Sequence, residues 1–133
     1  MTTATLNTAL AVLKAFREFT NNPDMPAQQV AIVCYVAMNP GQTQGQIAEG
    51  TGVSQSSVSR NCARLGRGIA WDARGADLVT VEEYLYDRRL RVVKLTQRGE
   101  ELIKTIHKDV VPKARHWFKQ AADKAMAKRE VTE

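Results

Sequence analysis

Hydroxyl, amide and guanidinium side chains are concentrated in residues 54–67, SQSSVSRNCARLGR. Serine and glutamine can donate and accept hydrogen bonds at base edges, and arginine can bond two acceptors of a guanine or a phosphate at once. Three arginines and no acidic residue lie in this stretch. Such chemistry suits contact with a polyanion.

A helix would position these groups. Val58, Cys62 and Leu65 recur at i, i+4 and i+7, which defines one apolar helical face. At about 100° per residue, the opposite face carries small, polar and cationic residues, namely Ser56, Arg60, Ala63 and Arg67. We therefore predict a helix with one buried stripe and an outer face that fits the DNA major groove.

The residues before this helix predict a partner helix and a tight turn. Ile47 and Ala48 are apolar positions of a first short helix, and Gly52 suits a turn because positive φ has no Cβ penalty at glycine. Val53 would fill the corner, and Ser54 is a good N-cap. Residues 42–65 thus predict a helix-turn-helix. By periodicity alone, a plain helical hairpin with a solvated basic face is an equal alternative.

Composition bounds the class of protein. The chain of 133 residues suits one domain, and its formal charge of +5 permits an acidic partner. No apolar run reaches membrane-spanning length, and Lys14 follows the first apolar residues, unlike a secretory signal. Cys34 and Cys62 lie among apolar residues, so we expect buried, reduced thiols and a cytoplasmic protein.

The chain shows no pattern of an enzyme. It has no phosphate-cradling glycine loop, no Cys/His cluster at metal-ligand spacing and no Ser/His/Asp arrangement. His107 and His116 are nine residues apart with Pro112 between them. We expect no enzymatic activity, no cofactor and no metal ion.

Helices are predicted both before the helix-turn-helix and near the C-terminal end of the sequence. A first helix over residues 4–20 has an apolar stripe from Leu6 to Phe19, and a second, apolar nearly all round, begins at Pro26 and ends near residue 38. Thr96 would cap a later helix. Pro112 should break or sharply bend that helix, and a final helix would begin there. The final stripe would comprise Ala114, Trp117 or Phe118, Ala121 and Ala125.

Residues 78–95 are rich in β-branched and aromatic side chains. They predict two antiparallel strands, at 78–85 and 90–95, with the residues between them at or near the turn: Tyr86, Asp87, Arg88 and Arg89. Residues 66–77 would form either an extension of the preceding helix or a loop, with Trp71 packed beneath it.

Two segments resemble the MarR family of winged-helix transcription regulators. Residues 47–65 resemble the family's paired helices, L-A-x-x-x-G-V-S-x-S-x-V-S/T-R. Residues 78–102 resemble its wing and the following helix, with the matching positions at family spacing: Asp87, Arg88, Arg89, Val93, Leu95, Thr96 and Gly99. The second pattern is the more specific one.

The resemblance implies a mainly α fold with a small β-hairpin wing, a winged helix-turn-helix with N- and C-terminal dimerisation helices. Residues 1–133 would form one domain, with dimerisation helices at 1–25 and 100–133. A DNA-binding lobe would span 26–99, with its wing at 78–95. The implied function is a homodimeric regulator that reads a roughly palindromic double-stranded DNA site.

The resemblance also assigns DNA-contacting residues. The major groove would receive Gln55, Ser56, Ser57, Ser59 and Arg60. Arg89 would reach the minor groove from the wing, beside Arg88, with Asp87 orienting the wing's arginines. We expect Arg64 and Arg67, together with Arg91 and Lys94 on the wing strand, to meet the phosphate backbone.

Two departures from the family pattern leave alternatives open. Asn61 replaces a usually apolar residue, and roughly eight to ten extra residues, including Trp71 and Arg74, precede the wing. The insertion could reposition the wing, or form the surface of a module for protein–protein interaction or non-specific architectural DNA binding. Single-stranded nucleic acid is less favoured, because the chain has few aromatic residues. A small-molecule effector is left open.

Overall fold

The computed structural model describes residues 2–67 and 75–132, and within the last helix it describes the side chains of 111–116, 120 and 123–128. The elements in chain order are α1 (Thr2–Phe19), α2 (Ala27–Met38), β1 (Gln42–Thr43), α3 (Gln44–Thr51), α4 (Gln55–Leu65), β2 (Val79–Tyr84), β3 (Asp87–Leu95), α5 (Gln97–Thr105), a π-helical segment (Ile106–Val110) and α6 (Val111–Thr132). The predicted class, mainly α with a small β-hairpin wing, is confirmed.

The backbone divides into two compact units. One comprises Met1–Pro23 with Lys104–Glu133, and the other comprises Asp24–Ile103. The second unit contains α2, α3, α4 and the sheet, and is called the lobe below. No helix in the described part of the chain combines the length and hydropathy needed to cross a bilayer.

The core of the lobe forms around α2, which contacts α3, α4 and β3. This helix buries residues on several sides, as its nearly continuous apolar sequence predicts. Ile47 of α3 and Val58 of α4 are also fully buried. The helix-turn-helix is therefore held by apolar contacts with one central helix.

The turn between α3 and α4 has the predicted chemistry. Gly52 has φ 77°, in the left-handed region, and its N–H donates to the Ala48 carbonyl at 3.0 Å. Ser54 caps α4 by accepting from the Ser57 N–H at 3.3 Å. At the other end of α3, Thr43 and Gln46 form a reciprocal capping box that we did not predict.

The sheet has three strands in the order β1-β3-β2, not only the predicted hairpin. The short strand β1 pairs antiparallel with β3, with Gln42 opposite Val93 and Thr43 opposite Val92. Since β3 lies between two strands and contacts α2, both Val92 and Val93 are buried. This central position explains why the sequence of β3 lacks a strict period of two.

The wing turn is shorter than predicted. Only Leu85 and Tyr86 separate β2 from β3, so Arg88 and Arg89 lie within β3 and the strand does not begin at residue 90. Glu83 pairs with Arg91, yet the next residue, Tyr84, pairs with Asp87. Residues 88–90 are therefore extra residues in β3 and form a wide irregularity next to the turn.

The start of α5 also follows the prediction. Thr96 accepts from the Gly99 N–H at 3.0 Å and so caps the helix. Gly99 is buried against the backbone of Leu78, where a Cβ atom would collide with the carbonyl oxygen. This close approach fixes the helix against the first residues of the wing.

The final helix, α6, begins at Val111, as predicted, but Pro112 does not interrupt the helical backbone. The chain remains helical through the proline, because Ile106–Val110 forms a π-helical segment and α6 begins at Val111. The Val111 N–H bonds to the Ile106 carbonyl, five residues earlier. A wider turn reduces the collision between a proline ring and the preceding turn, which accounts for the uninterrupted helix.

In the unit that contains α1, Phe16 is buried, whereas Leu6 and Leu10 are 60% and 66% exposed. The Asn7 side chain donates to the Ala114 carbonyl at 3.2 Å, joining α1 to α6. Ala114 is buried and Ala125 is exposed. The predicted stripe side chains at 117, 118 and 121 lie outside the described residues.

We expect Gly99→Ala to lower the free energy of unfolding by about 1–3 kcal/mol, because the added methyl group meets a backbone carbonyl that a rotamer change cannot move. Gly45→Ala is the matched control, since a Cβ there lies 3.9 Å from its nearest neighbour and glycine disfavours a helix. Urea denaturation of both variants measures the difference. Equal stability of the two variants would contradict the close approach at Gly99.

Candidate nucleic-acid interface

The two faces of α4 are confirmed. Val58, Cys62 and Leu65 are buried, at 0%, 1% and 0% relative exposure. The predicted outer residues on the helix are exposed: Gln55, Ser56, Ser59, Arg60 and Arg64. Arg67, just after the helix, is exposed as well, and Ala63 is half-buried. The structure thus brings a cationic, acid-free surface to one side of α4.

Ser57 differs from its neighbours because its hydroxyl is engaged within the protein. It is half-buried, accepts from the Ser54 hydroxyl at 2.9 Å and accepts from the Arg60 guanidinium at 3.2 Å. The helix cap and the central arginine of the outer face therefore share one hydroxyl. The Ser57 hydroxyl therefore links the N-cap of α4 to Arg60.

Asn61, where the family pattern has an apolar residue, joins α4 to α2. The buried Gln29 side chain donates to Asn61 Oδ1 at 3.2 Å, and Asn61 Nδ2 donates to Gln28 Oε1 at 3.4 Å. The polar residue thus satisfies a buried amide that an apolar side chain would leave without a partner. Sequence reasoning noted Asn61 but did not find Gln29, because α2 reads as an apolar helix.

The wing contains one preorganised arginine. Arg89 donates to both Asp87 carboxylate oxygens, from Nε at 3.2 Å and from Nη2 at 3.3 Å, and its backbone N–H donates at 3.0 Å. These side-chain and backbone hydrogen bonds lower the pKa of Asp87. Arg88 and Arg91 are exposed and form no ion pair with any residue that the structure describes. Further along β3, Lys94 pairs with Glu82 of β2 at 3.6 Å.

The two ends of the inserted segment, residues 64–66 and 76–78, are hydrogen-bonded to each other. The Ala76 N–H donates to the Arg64 carbonyl, the Asp77 N–H to Gly66 and the Leu78 N–H to Leu65, at 2.9, 2.8 and 2.7 Å. Trp71 and Arg74 lie outside the described residues. The bonds at its base connect the end of α4 directly to the start of β2, so the wing is attached to α4 independently of what the insertion does.

The two cysteines have the chemistry of structural thiols. Burial raises the pKa of the Cys62 thiol to about 11, and it also raises the pKa of Cys34. A raised pKa keeps a thiol protonated at neutral pH and suppresses its reactivity. In the described part of the chain, no group of His, Cys, Asp and Glu residues could hold a metal ion.

The Gln29–Asn61 bond makes a prediction for stability. Asn61→Leu should cost roughly 1–3 kcal/mol, because it removes the partner of a buried amide. Combining it with Gln29→Leu should recover part of that loss, which a double-mutant cycle in urea measures. Gln28→Leu, at an exposed position, is the control with little effect. Strictly additive effects of the two substitutions would show that the amides do not interact.

Comparison with known proteins gives one sequence match and many structural ones. The MarR family model matches residues 24–67, which contain α2, α3 and α4. Among curated proteins, no sequence matches this chain at a significant level. Solved structures match in large number, and three of them are informative here.

The MarR family transcription regulator SP03579 is 23% identical, with a TM-score of 0.62, covering 94% of this chain and 75% of its own. MepR from S. aureus, in complex with DNA, is 16% identical, with a TM-score of 0.62 and coverage of 94% and 91%. PcaV from Streptomyces coelicolor, in complex with its natural ligand, is 20% identical, with a TM-score of 0.55 and coverage of 93% and 89%.

At these identities the structural matches establish a shared fold, and the family model adds agreement in sequence across the helix-turn-helix. The resemblance to the MarR family is thus confirmed, by sequence over residues 24–67 and by fold over nearly the whole chain: this is a winged-helix protein with the fold of MarR-family transcription regulators.

Proposed function

We propose that the protein is a transcription regulator that binds double-stranded DNA sequence-specifically, as a homodimer, at a roughly palindromic site. One observation carries the proposal: the outer face of α4 is exposed, cationic and free of acidic residues, while its apolar face is buried. A rigid helix with these two faces fits the width of the major groove. That MepR was crystallised with DNA supports the same use of a shared fold.

We assign the residues of α4 to base or phosphate contacts according to their position on the helix. Arg60 lies in the middle of the outer face, and its bond to Ser57 restricts the guanidinium before binding. We assign Arg60 to base reading, since a guanidinium can bond the O6 and N7 acceptors of guanine. Gln55, Ser56 and Ser59 would provide further polar contacts. Arg64 and Arg67, at and beyond the C-terminal end of α4, would neutralise phosphates.

The wing would contribute a second set of contacts. Arg89 is held by Asp87 in a defined orientation, and Arg88 and Arg91 are exposed on either side of it. Residues 88 and 89 lie in the irregular part of β3, where the extra residues turn side chains away from a regular ladder. We assign Arg88 and Arg89 to the minor groove and Arg91 to the backbone.

Dimerisation would occur through the unit formed by residues 1–23 and 104–133, with the lobe of residues 24–103 binding DNA. Leu6 and Leu10 on α1 expose large apolar surfaces in the single chain, and exposed apolar clusters often mark protein contacts. A twofold axis would place two α4 helices about 34 Å apart, one DNA turn, and so require a palindromic site.

A small-molecule effector is a secondary part of the proposal. The structure of PcaV contains its natural ligand. Here the surface of α1 has an open pocket of about 540 Å³, lined by Leu10, Leu13, Lys14, Arg17, Glu18, Asn21 and Pro23. Its size and mixed lining are compatible with a small organic molecule.

Selection of duplexes from a random pool, followed by titration, tests the proposed recognition. Arg60→Ala should weaken binding to the selected duplex by roughly 5- to 150-fold and reduce its preference over a scrambled duplex. Arg67→Ala should weaken both duplexes alike and reduce the salt slope by about one. Equal binding of wild type to selected and scrambled duplexes would instead favour the non-specific architectural function.

Multi-angle light scattering tests the homodimer. We expect a mass of twice the 14.8 kDa chain at micromolar concentration. Leu10→Glu should shift the protein toward the monomer, because it places a charge on the exposed apolar face of α1. Met38→Glu, at an exposed apolar position of the lobe, is the control and should not change the mass. A wild-type mass of one chain would refute the dimer.

A further inference from the structure

The tip of the wing is apolar. Leu85 and Tyr86 are 85% and 83% exposed, more than any other large hydrophobic residue that the structure describes as exposed. They are the two turn residues between β2 and β3. Tyr84, which precedes them, is 39% exposed. Residues 84–86 therefore present three successive large apolar or aromatic side chains to solvent.

The backbone of the turn does not explain why its residues are apolar. Two-residue turns often contain polar Asn-Gly or Asp-Gly, which accept positive φ. Leu85 and Tyr86 both have negative φ, because among the described non-glycine residues positive φ occurs at Asn21 and Asp77, so this turn needs neither residue type. Large apolar side chains exposed at the tip of a turn add little to the fold, and such surfaces often mark a contact site.

The tip is also ordered by its neighbours. The rings of Tyr84 and Tyr86 meet edge to face, with centroids 5.5 Å apart and planes at 65°. This arrangement is a favourable aromatic pair. On the opposite side of the turn, Asp87 is fixed by its bonds to Arg89. The Tyr86 ring is therefore oriented by Tyr84, and the start of β3 by the Asp87–Arg89 pair.

The charges around the tip favour an anionic partner. Arg88 and Arg91 are exposed, while the nearby acidic side chain of Asp87 is engaged by Arg89. Of the two acids on β2, Glu82 pairs with Lys94 and Glu83 lies opposite Arg91 in the sheet register. An apolar tip bordered by guanidiniums fits the DNA minor groove, whose rims are anionic phosphates and whose stacked base steps can admit an apolar side chain.

We propose that Leu85 and Tyr86 act as an apolar wedge that enters the minor groove and partly unstacks one base step, while Arg88 and Arg89 contact the groove beside it and Arg91 binds the phosphate backbone. The inference rests on the proposed DNA-binding function and adds a contact that the arginines alone would not make. Insertion of such side chains kinks a duplex by roughly 20–90°. The kink would favour flexible pyrimidine–purine steps at the wing position, so part of the specificity would come from DNA deformability.

The experiment combines titration with a measurement of DNA bending. The probes are the duplex selected from the random pool and its scrambled counterpart, each labelled at both ends for energy transfer. Leu85→Ser combined with Tyr86→Ser should weaken binding about tenfold or more, from loss of buried apolar surface, and should reduce the bend. The salt slope should not change, because no cation is removed; Arg91→Ala should reduce that slope by about one.

Control variants separate loss of the wedge from loss of any exposed apolar side chain and from disruption of the hairpin. Met38→Ser removes an exposed apolar side chain elsewhere on the lobe and should leave affinity and bend unchanged. Leu85→Asn with Tyr86→Asn supplies polar residues that favour turns and keeps the hairpin, yet it should lose affinity and bend like the double serine variant. Tyr86→Phe should retain both.

Wild-type affinity and bend in the double serine variant would overturn the wedge and leave the proposed function standing. A straight duplex in the wild-type complex would also overturn it, as would a change of oligomeric mass in the serine variant, which would identify the tip as a self-association surface. If wild type binds neither duplex, the proposed function itself fails.

Discussion

Burial of the stripe formed by Val58, Cys62 and Leu65 is the constraint on which the rest of the structure depends. A helix has one rotational setting about its axis that buries this stripe, and that setting turns Ser56 and Arg60 outward. The packing of α4 against α2, α3 and β2 holds the setting. Apolar contacts thus decide which polar groups are available to a ligand.

Polar contacts then refine what the apolar contacts establish. The Gln29–Asn61 bond ties α4 to α2, and the hydroxyl of Ser57 joins the helix cap to Arg60. In the wing, the carboxylate of Asp87 restricts the Arg89 side chain in the same way as Ser57 restricts that of Arg60. An arginine restricted in this way loses less conformational freedom on binding, which favours selective over diffuse contact.

Local signals were sufficient for much of this arrangement. Gly52, Ser54 and Thr96 act through groups one turn away in the sequence, so their roles could be read from spacing. Strand β1 could not be predicted from the sequence, because two residues show no periodicity. Their pairing with β3 also joins positions about fifty residues apart. Likewise, the partner of Asn61 is an amide on a distant helix.

Other differences have equally physical causes. Pro112 is a strong breaker by composition, yet a π-helical segment before it lets the helix continue. The sequence places the wing turn too late, because the charged run Asp87, Arg88 and Arg89 gives no strand signal, while the structure puts Leu85 and Tyr86 at the turn. The turn is thus formed by residues that local propensity assigns to strands.

The central claim is that the outer face of α4 enters the major groove. Amide and side-chain NMR shifts of the protein, recorded while the selected duplex is added, test it most directly. The account predicts large, saturable changes at residues 55–60 and in the wing, with small changes at the buried residues of α2. Saturable binding that leaves residues 55–60 unchanged would contradict it.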